Sequence, residues 1–378
     1  MDRAILKNRR LWLFILFSIG ATRLIFYLIY ALKFQNLSFA GFLRHVDLWD
    51  AEWYRGIATE GYPSSATGTA SWAFFPLYPL TVRVVSAAFG GNLDLAGYLV
   101  SNVCYAIACG YSYRYILITR RKEEEAYFYI ALMTWGVCGF YDAILYTEAM
   151  YLMLLTMCFC YLKEEKFLKM GICGLLMSAT RNTGVFFVFV VVLDRFRRWQ
   201  EEQKNAGKGT DFAGFLKASF GNERLVFGTM LIPAGMFTYM YYLFLRTGDG
   251  FAFMHIQKAF MQDTRPGIVQ VWARTFRLYA GQAWVYAYLA GLILVLALIL
   301  ANRRLDETVW GILNWLIPQQ RGLGSMQRYF HTCVVVELTF ADYCMKLKRW
   351  MRVGILILMF LAECLLMSMW MDGNGLLV

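Results

Sequence analysis

Apolar residues in this chain gather into runs of about 20, the length an α-helix needs to cross a bilayer, with short polar segments between them. Runs at 11–33, 94–118, 126–143, 146–162, 224–246, 281–301, 306–318, 329–345 and 351–370 each predict one spanning helix. Residues 166–195 have basic segments at both ends, so they predict two short helices meeting at Ala179-Thr180-Arg181-Asn182-Thr183-Gly184. The stretch 74–90 is short and carries Pro76, Pro79 and Arg83, which predicts an interfacial or re-entrant segment. The sum is about eleven spans in one all-α, polytopic domain over 1–378.

Basic residues cluster at Lys7 to Arg10, Arg120 to Lys122, Arg195 to Arg198, Arg303-Arg304 and Lys346 to Arg352. Placing all five clusters in the cytoplasm fixes the direction of each helix. The first run then leads outward, and Leu11 to Leu32 is too long for a signal-peptide core, so it reads as a retained helix. Residues 34–74 become an external loop, 198–222 a cytoplasmic segment, 247–278 a second external loop, and the C-terminus lies outside.

Composition agrees with a lipid environment. Of 378 residues 59% are hydrophobic and 17% charged, and the mean hydropathy is +0.45, too little charge to cover a soluble surface. The net charge of +11 sits in the orienting clusters, which removes the argument for nucleic acid and makes the bilayer the partner. Nine cysteines lie mostly inside apolar runs without disulfide or metal spacing, and three histidines lack mutual spacing. No cofactor is demanded; a divalent cation is one partner open to Asp47.

The polar clusters that orientation leaves unexplained all fall on the external side. In HVDLWDAEWYRGIATEGY (45–62), helical spacing puts Asp47, Asp50 and Tyr54 on one face, with Trp49 and Trp53 a turn apart. That predicts an interfacial helix holding a carboxylate base, its aromatics set at headgroup level to stack on a sugar. A plain amphipathic helix with its acids in water explains the same pattern. Arg181 between two half-helices either holds a phosphate bidentately or pairs with Glu148. Glu148, in Tyr146-Thr147-Glu148, also suits the first turn of a helix without further role. Arg321 and Arg328, external against the charge trend in a Gly-rich turn, suit a phosphate or diphosphate, or a solvated loop. His255, Gln257 and Lys258 form a less specific loop group. Carboxylate, arginines and interfacial aromatics together suit sugar transfer from a lipid-linked phosphate to a hydroxyl. A transporter or flippase for an anionic lipid is the alternative from another class.

Trp49-Asp50-Ala51, Trp53-Tyr54, Ile57-Ala58 and Gly61-Tyr62, followed by Phe74-Phe75-Pro76-Leu77-Tyr78-Pro79-Leu80, resemble the signature of the PIG-V-like mannosyltransferases. These are the second mannosyltransferase of GPI-anchor synthesis and its bacterial relatives. Tyr146 to Ala149, Arg181 with Gly184, Phe253 to Lys258, and Ser325-Met326-Gln327-Arg328-Tyr329 follow in that family's order. The resemblance implies a GT-C fold, a polyprenyl-phosphate mannose donor, inversion at the anomeric carbon and an external active site. It maps the family's aspartate onto Asp50 as base, leaves Asp47 in reserve or support, and adds Tyr78, Gln327 and Tyr329 to the expected substrate contacts. The short chain points to a bacterial plasma-membrane enzyme, with a lumenal site in the endoplasmic reticulum for a eukaryotic one. The acceptor is then a glycolipid, glycan or protein hydroxyl.

Overall fold

The first apolar run becomes a helix where the Asn8 side chain accepts the Leu11 N–H at 3.0 Å, and it stops where Gln35 turns left-handed (φ 50°). The computed structural model describes residues 7–66, 68–120, 122–260, 267–320 and 322–375, and among them there are eighteen α-helices and no strand. After α1 (Arg9–Phe34), two short helices, α2 (Phe39–Val46) and α3 (Asp50–Glu60), fill the first polar loop. The Pro76–Pro79 segment gives a ten-residue α4 (Leu77–Ser86), short as expected, before the long α5 (Leu93–Thr119). Next come α6 (Glu123–Thr134), α7 (Glu148–Lys163), α8 (Phe167–Ser178), α9 (Phe187–Asn205) and α10 (Phe212–Phe220). The chain closes with α11 (Glu223–Thr247), α12 (Ala252–His255), α13 (Ile268–Leu278), α14 (Ala283–Leu300), α15 (Leu305–Gln319), α16 (Met326–Cys333), α17 (Val335–Cys344) and α18 (Arg349–Met371).

Five of these helices, α1, α5, α11, α14 and α18, are long and apolar enough to cross a membrane, consistent with an integral membrane protein. They coincide with five of the expected spans. Two other runs differ from expectation. The helix expected over 126–143 ends at Thr134 and gives way to a turn and a 3-10 segment (Gly139–Asp142). The helix expected over 329–345 is broken at Val334, a β-branched residue held at φ 61°. The split of 166–195 is present: α8 and α9 are separated by a 3-10 turn, Asn182–Phe186.

Close backbone approach fixes that split. α8 lies against α11 where Gly171 faces Gly228 and Gly235 faces Leu175. A Cβ on Gly228 would stand 2.3 Å from the Phe167 carbonyl oxygen, so only glycine lets the two helices meet.

The helices have two chemically different ends. At one, the basic clusters meet acids in ion-pair networks, buried around Glu307, Glu125 and Asp306 and open to solvent at their edges. Arg120 pairs with Glu307 at 2.8 Å, Asp342 at 3.0 Å and Glu125 at 3.1 Å. Lys163 pairs with Asp194 and Asp306, Arg198 with Asp194 and Glu165, and Arg352 with Glu124. The opposite ends of α5, α7 and α15 carry Asp94, Glu148 and Gln319, so they run from this network to a second polar region. α5, with 27 residues, is about 40 Å long at 1.5 Å per residue.

Removing the cation from the first network leaves Glu125 buried without its cation and Glu307 with Arg304 alone, at 3.1 Å. Arg120→Leu is expected to lower stability by about 3–5 kcal/mol, read as a drop in the unfolding midpoint of the purified protein in detergent. A midpoint equal to the parent's would refute that role.

Candidate functional site

The segment 45–62 is not the single helix its spacing predicts. α2 ends at Val46, pinned by the Trp370 indole N–H donating to the Val46 carbonyl at 2.7 Å. Asp47 then caps α2, its N–H donating to Leu43 O at 2.9 Å, while its side chain turns away to accept the Leu145 N–H at 2.7 Å. Trp49, at φ 56°, redirects the chain so that α3 starts at Asp50. Asp47 and Asp50 therefore do not share a helical face. The capping and long-range bonds available to Asp47 outweigh continuation of the helix.

Asp50 is held from behind. Its N–H donates to the Tyr146 hydroxyl at 3.1 Å, and that hydroxyl donates to Leu48 O at 3.0 Å. Its carboxylate stands in the first turn of α3, where the helix dipole favours negative charge. Arg328 Nη1 donates to Asp50 Oδ2 at 2.9 Å and lies 3.7 Å from Glu148 Oε1. Arg328 Nη2 donates to Ser325 Oγ at 2.8 Å, and the guanidinium lies 5.0 Å from the Tyr146 ring centroid. Arg181 Nη2 donates to Glu148 Oε1 at 2.5 Å and its Nε to Thr147 Oγ1 at 2.9 Å. Its Nη1 reaches Thr332 Oγ1 at 3.4 Å, and the rings of Tyr151 and Tyr329 flank it at 5.7 and 5.4 Å.

Two carboxylates and two guanidinium groups thus form one largely buried set drawn from α3, the start of α7, the α8–α9 break and α16. Glu148 is fully buried, and the Asp50 side chain keeps 22% of its surface exposed. Local backbone supports the arrangement. Gly184 stands where a Cβ would press 2.8 Å from Met177 and Ser178 main-chain atoms, allowing the tight turn after Arg181. α16 is bracketed by Ser325 (φ 62°) and Val334 (φ 61°), left-handed residues without glycine's freedom. Such conformations cost roughly 1–3 kcal/mol each and persist where tertiary contacts impose them.

The other expected contacts divide. Trp53 stacks on Phe74 (5.6 Å, 15°), and Tyr54 sets its edge against Phe74, Tyr78 and Tyr146. The Tyr78 hydroxyl is committed to Ser101 at 2.9 Å. Trp49 is 43% exposed beside Asp50. Gln327 Nε2 reaches the Tyr141 hydroxyl at 3.5 Å, and Tyr329 flanks Arg181. Arg181 makes the pairing with Glu148 that was one of its two expected readings. His255 is exposed and bound to Asp249 at 2.6 Å. It belongs with Gln257, in the 3-10 turn Ile256–Phe260, to the segment that follows α11 rather than to the charge set. Arg321 lies outside the described residues.

The sequence reading missed four residues here. Thr332 accepts from Arg181, and below it His331 Nε2 bonds Asp142 Oδ2 at 2.7 Å, with Glu337 Oε1 3.7 Å from Nδ1. Both His331 and Asp142 interrupt apolar runs, a signal that marks intramembrane ionisable residues for attention. Among the described residues no group of three or more His, Cys, Asp and Glu side chains suits a metal ion. Of the Asp47 oxygens, one accepts the Leu145 N–H and the other is buried without a hydrogen-bond partner.

No protein-family model matches this chain, and no curated protein matches it.

Asp47, in the loop outside the spans, is 2% exposed. Burial pushes its carboxyl up to about 7, although the Leu145 N–H and the Arg55 guanidinium both pull it down. The folded protein thus binds this proton more tightly than the unfolded chain, where the value is 3.8. Its favourable contribution is complete at low pH and is lost as pH rises through 7. Asp47→Asn, which keeps an acceptor for Leu145, is expected to match the parent's thermal stability near pH 4 and to exceed it increasingly up to about pH 7, then by a constant margin. A gap that stays flat with pH would contradict a buried, neutral Asp47.

Proposed function

We propose that the protein is an integral membrane glycosyltransferase moving a hexose from a polyprenyl-phosphate donor to an extracytoplasmic hydroxyl. The observation that carries this reading is Asp50, partly exposed and paired through only one oxygen to a buried guanidinium. Oδ2 is held by Arg328, and Oδ1 faces the remaining space without a hydrogen bond among the described residues. In the proposed step Oδ1 takes the proton of the acceptor hydroxyl. The acceptor oxygen then bonds to the anomeric carbon, the carbon–oxygen bond to the lipid phosphate breaks, and the electron pair leaves with that phosphate. A single displacement of this kind inverts the anomeric centre.

Arg328 is placed to meet the charge that grows on the leaving phosphate, since its Nε is buried without a partner while its other nitrogens are engaged. Arg181 holds Glu148 and so sets the local charge balance. Trp49, with the Trp53–Phe74 stack behind it, offers an aromatic surface to a sugar ring. The resemblance to PIG-V-like enzymes adds mannose as the hexose, a GT-C architecture and an outward-facing site, while the charge pattern adds about eleven spans and the short chain a bacterial plasma membrane. The acceptor class is a glycolipid, glycan or protein hydroxyl.

A second reading has its own observation. Arg23 and Glu363 lie near the middle of α1 and in the C-terminal half of α18, fully or almost fully buried, with Arg23 Nη1 and Nη2 and both Glu363 oxygens lacking hydrogen-bond partners. Ionisable groups at such depth mark ion or substrate paths, which suits a lipid flippase.

Purified protein given radiolabelled polyprenyl-phosphate mannose separates the two: free lipid phosphate with a new glycoside requires an enzyme, whereas intact lipid changing leaflets requires a flippase. Asp50→Asn, verified as folded, is expected to lower transfer about 10²–10⁴-fold. Transfer at the parental rate would rule out Asp50 as the base.

A further inference from the structure

We infer that the buried Asp142–His331 pair, backed by Glu337, is a positioning device that sets Arg328 against Asp50. This rests on reading the Asp50–Arg328 set as the transfer site. α16 has eight residues and a left-handed, non-glycine residue at each end. Its own backbone preferences therefore do not decide how it sits, and tertiary contacts must. Arg328 and Thr332, one turn apart, face the charge set, whereas His331 points to the interior.

The His331 ring touches two other segments. Nε2 bonds Asp142 in the 3-10 turn Gly139–Asp142, and Nδ1 faces Glu337 in α17. Asp142 stands three residues before Leu145, whose N–H fixes Asp47, and four before Tyr146, whose hydroxyl fixes the Asp50 main chain. One hydrogen bond thus ties the segment that holds the base to the helix that holds the cation. Asp142 is fully buried and His331 is 3% exposed, so neither meets a substrate. They are positioning residues, and their effect passes through Arg328.

The alternative for such a chain is proton transfer, and a neutral pair separates the two. In Asp142→Asn/His331→Gln the side chains still bond each other, as amides, but no longer carry a charge or a titrating proton. The full-length protein and its variants are compared in detergent by size exclusion and unfolding, by carbodiimide modification at Asp50 read by peptide mass analysis, and by transfer kinetics. Either single change is expected to let Arg328 withdraw, raising Asp50 modification several-fold and lowering kcat on the order of a hundredfold, with a smaller change in donor KM. The double variant is expected to restore most of both losses. Glu337→Gln, at the longer contact, gives a smaller shift in the same direction and serves if the single variants fail to fold.

Parental Asp50 modification in a folded single variant or in Glu337→Gln would overturn the inference. So would a double variant no better than the worse single one. If the parent protein transfers no sugar while the modification pattern appears as described, the positioning role stands and the proposed transferase activity falls.

Discussion

A charge inside an apolar body must meet its opposite, and the contact between Arg328 and Asp50 is where this requirement organises the molecule. Arg328 is shared between Asp50 and Glu148, and Glu148 in turn is shared with Arg181. Four segments far apart in sequence are drawn together by two positive and two negative groups. The surrounding tyrosines close the set: Tyr146 under Arg328, Tyr151 and Tyr329 about Arg181. The same rule operates at the other end of α5 and α7, with a different outcome. There Arg120 and Lys163 are enclosed by acids on several sides, and the ends of the helices are bound together. The two regions are alike in chemistry, and each keeps a carboxylate partly in solvent, Asp50 at one and Asp342 at the other.

Much of this was legible in the chain. The long apolar runs behind α1, α5, α11, α14 and α18 leave little choice of structure, because backbone groups in lipid must bond within the helix. The break at Arg181 was readable from the basic residues at both ends of 166–195, and Pro76 with Pro79 marked a short element. Gathering Asp50, Glu148, Arg181 and Arg328 into one region followed from assigning each helix a direction by charge.

What periodicity could not reveal depends on distant partners. The spacing of Asp47 and Asp50 suits a helix, yet Asp47 is turned aside by a main-chain N–H at position 145. The stop of α6 at Thr134 and the break at Val334 are likewise invisible in an apolar run, where nothing local opposes a helix. His331 and Asp142 lay inside those runs and were passed over as part of spans. Their pairing across 189 positions is a property of the fold, not of either segment.

The separation between Asp50 and Arg328, 278 residues, also bears on how the molecule is made. Glu148 and Arg181 lie 33 apart and can find each other while synthesis continues. Asp50 leaves the ribosome early and has no guanidinium from α16 until nearly the whole chain has followed it. The charge set is consequently complete only late in the making of a new copy. Chains interrupted before α16 carry Asp50 without its guanidinium, so a partly inserted copy holds an unmatched carboxylate where the finished one holds an ion pair.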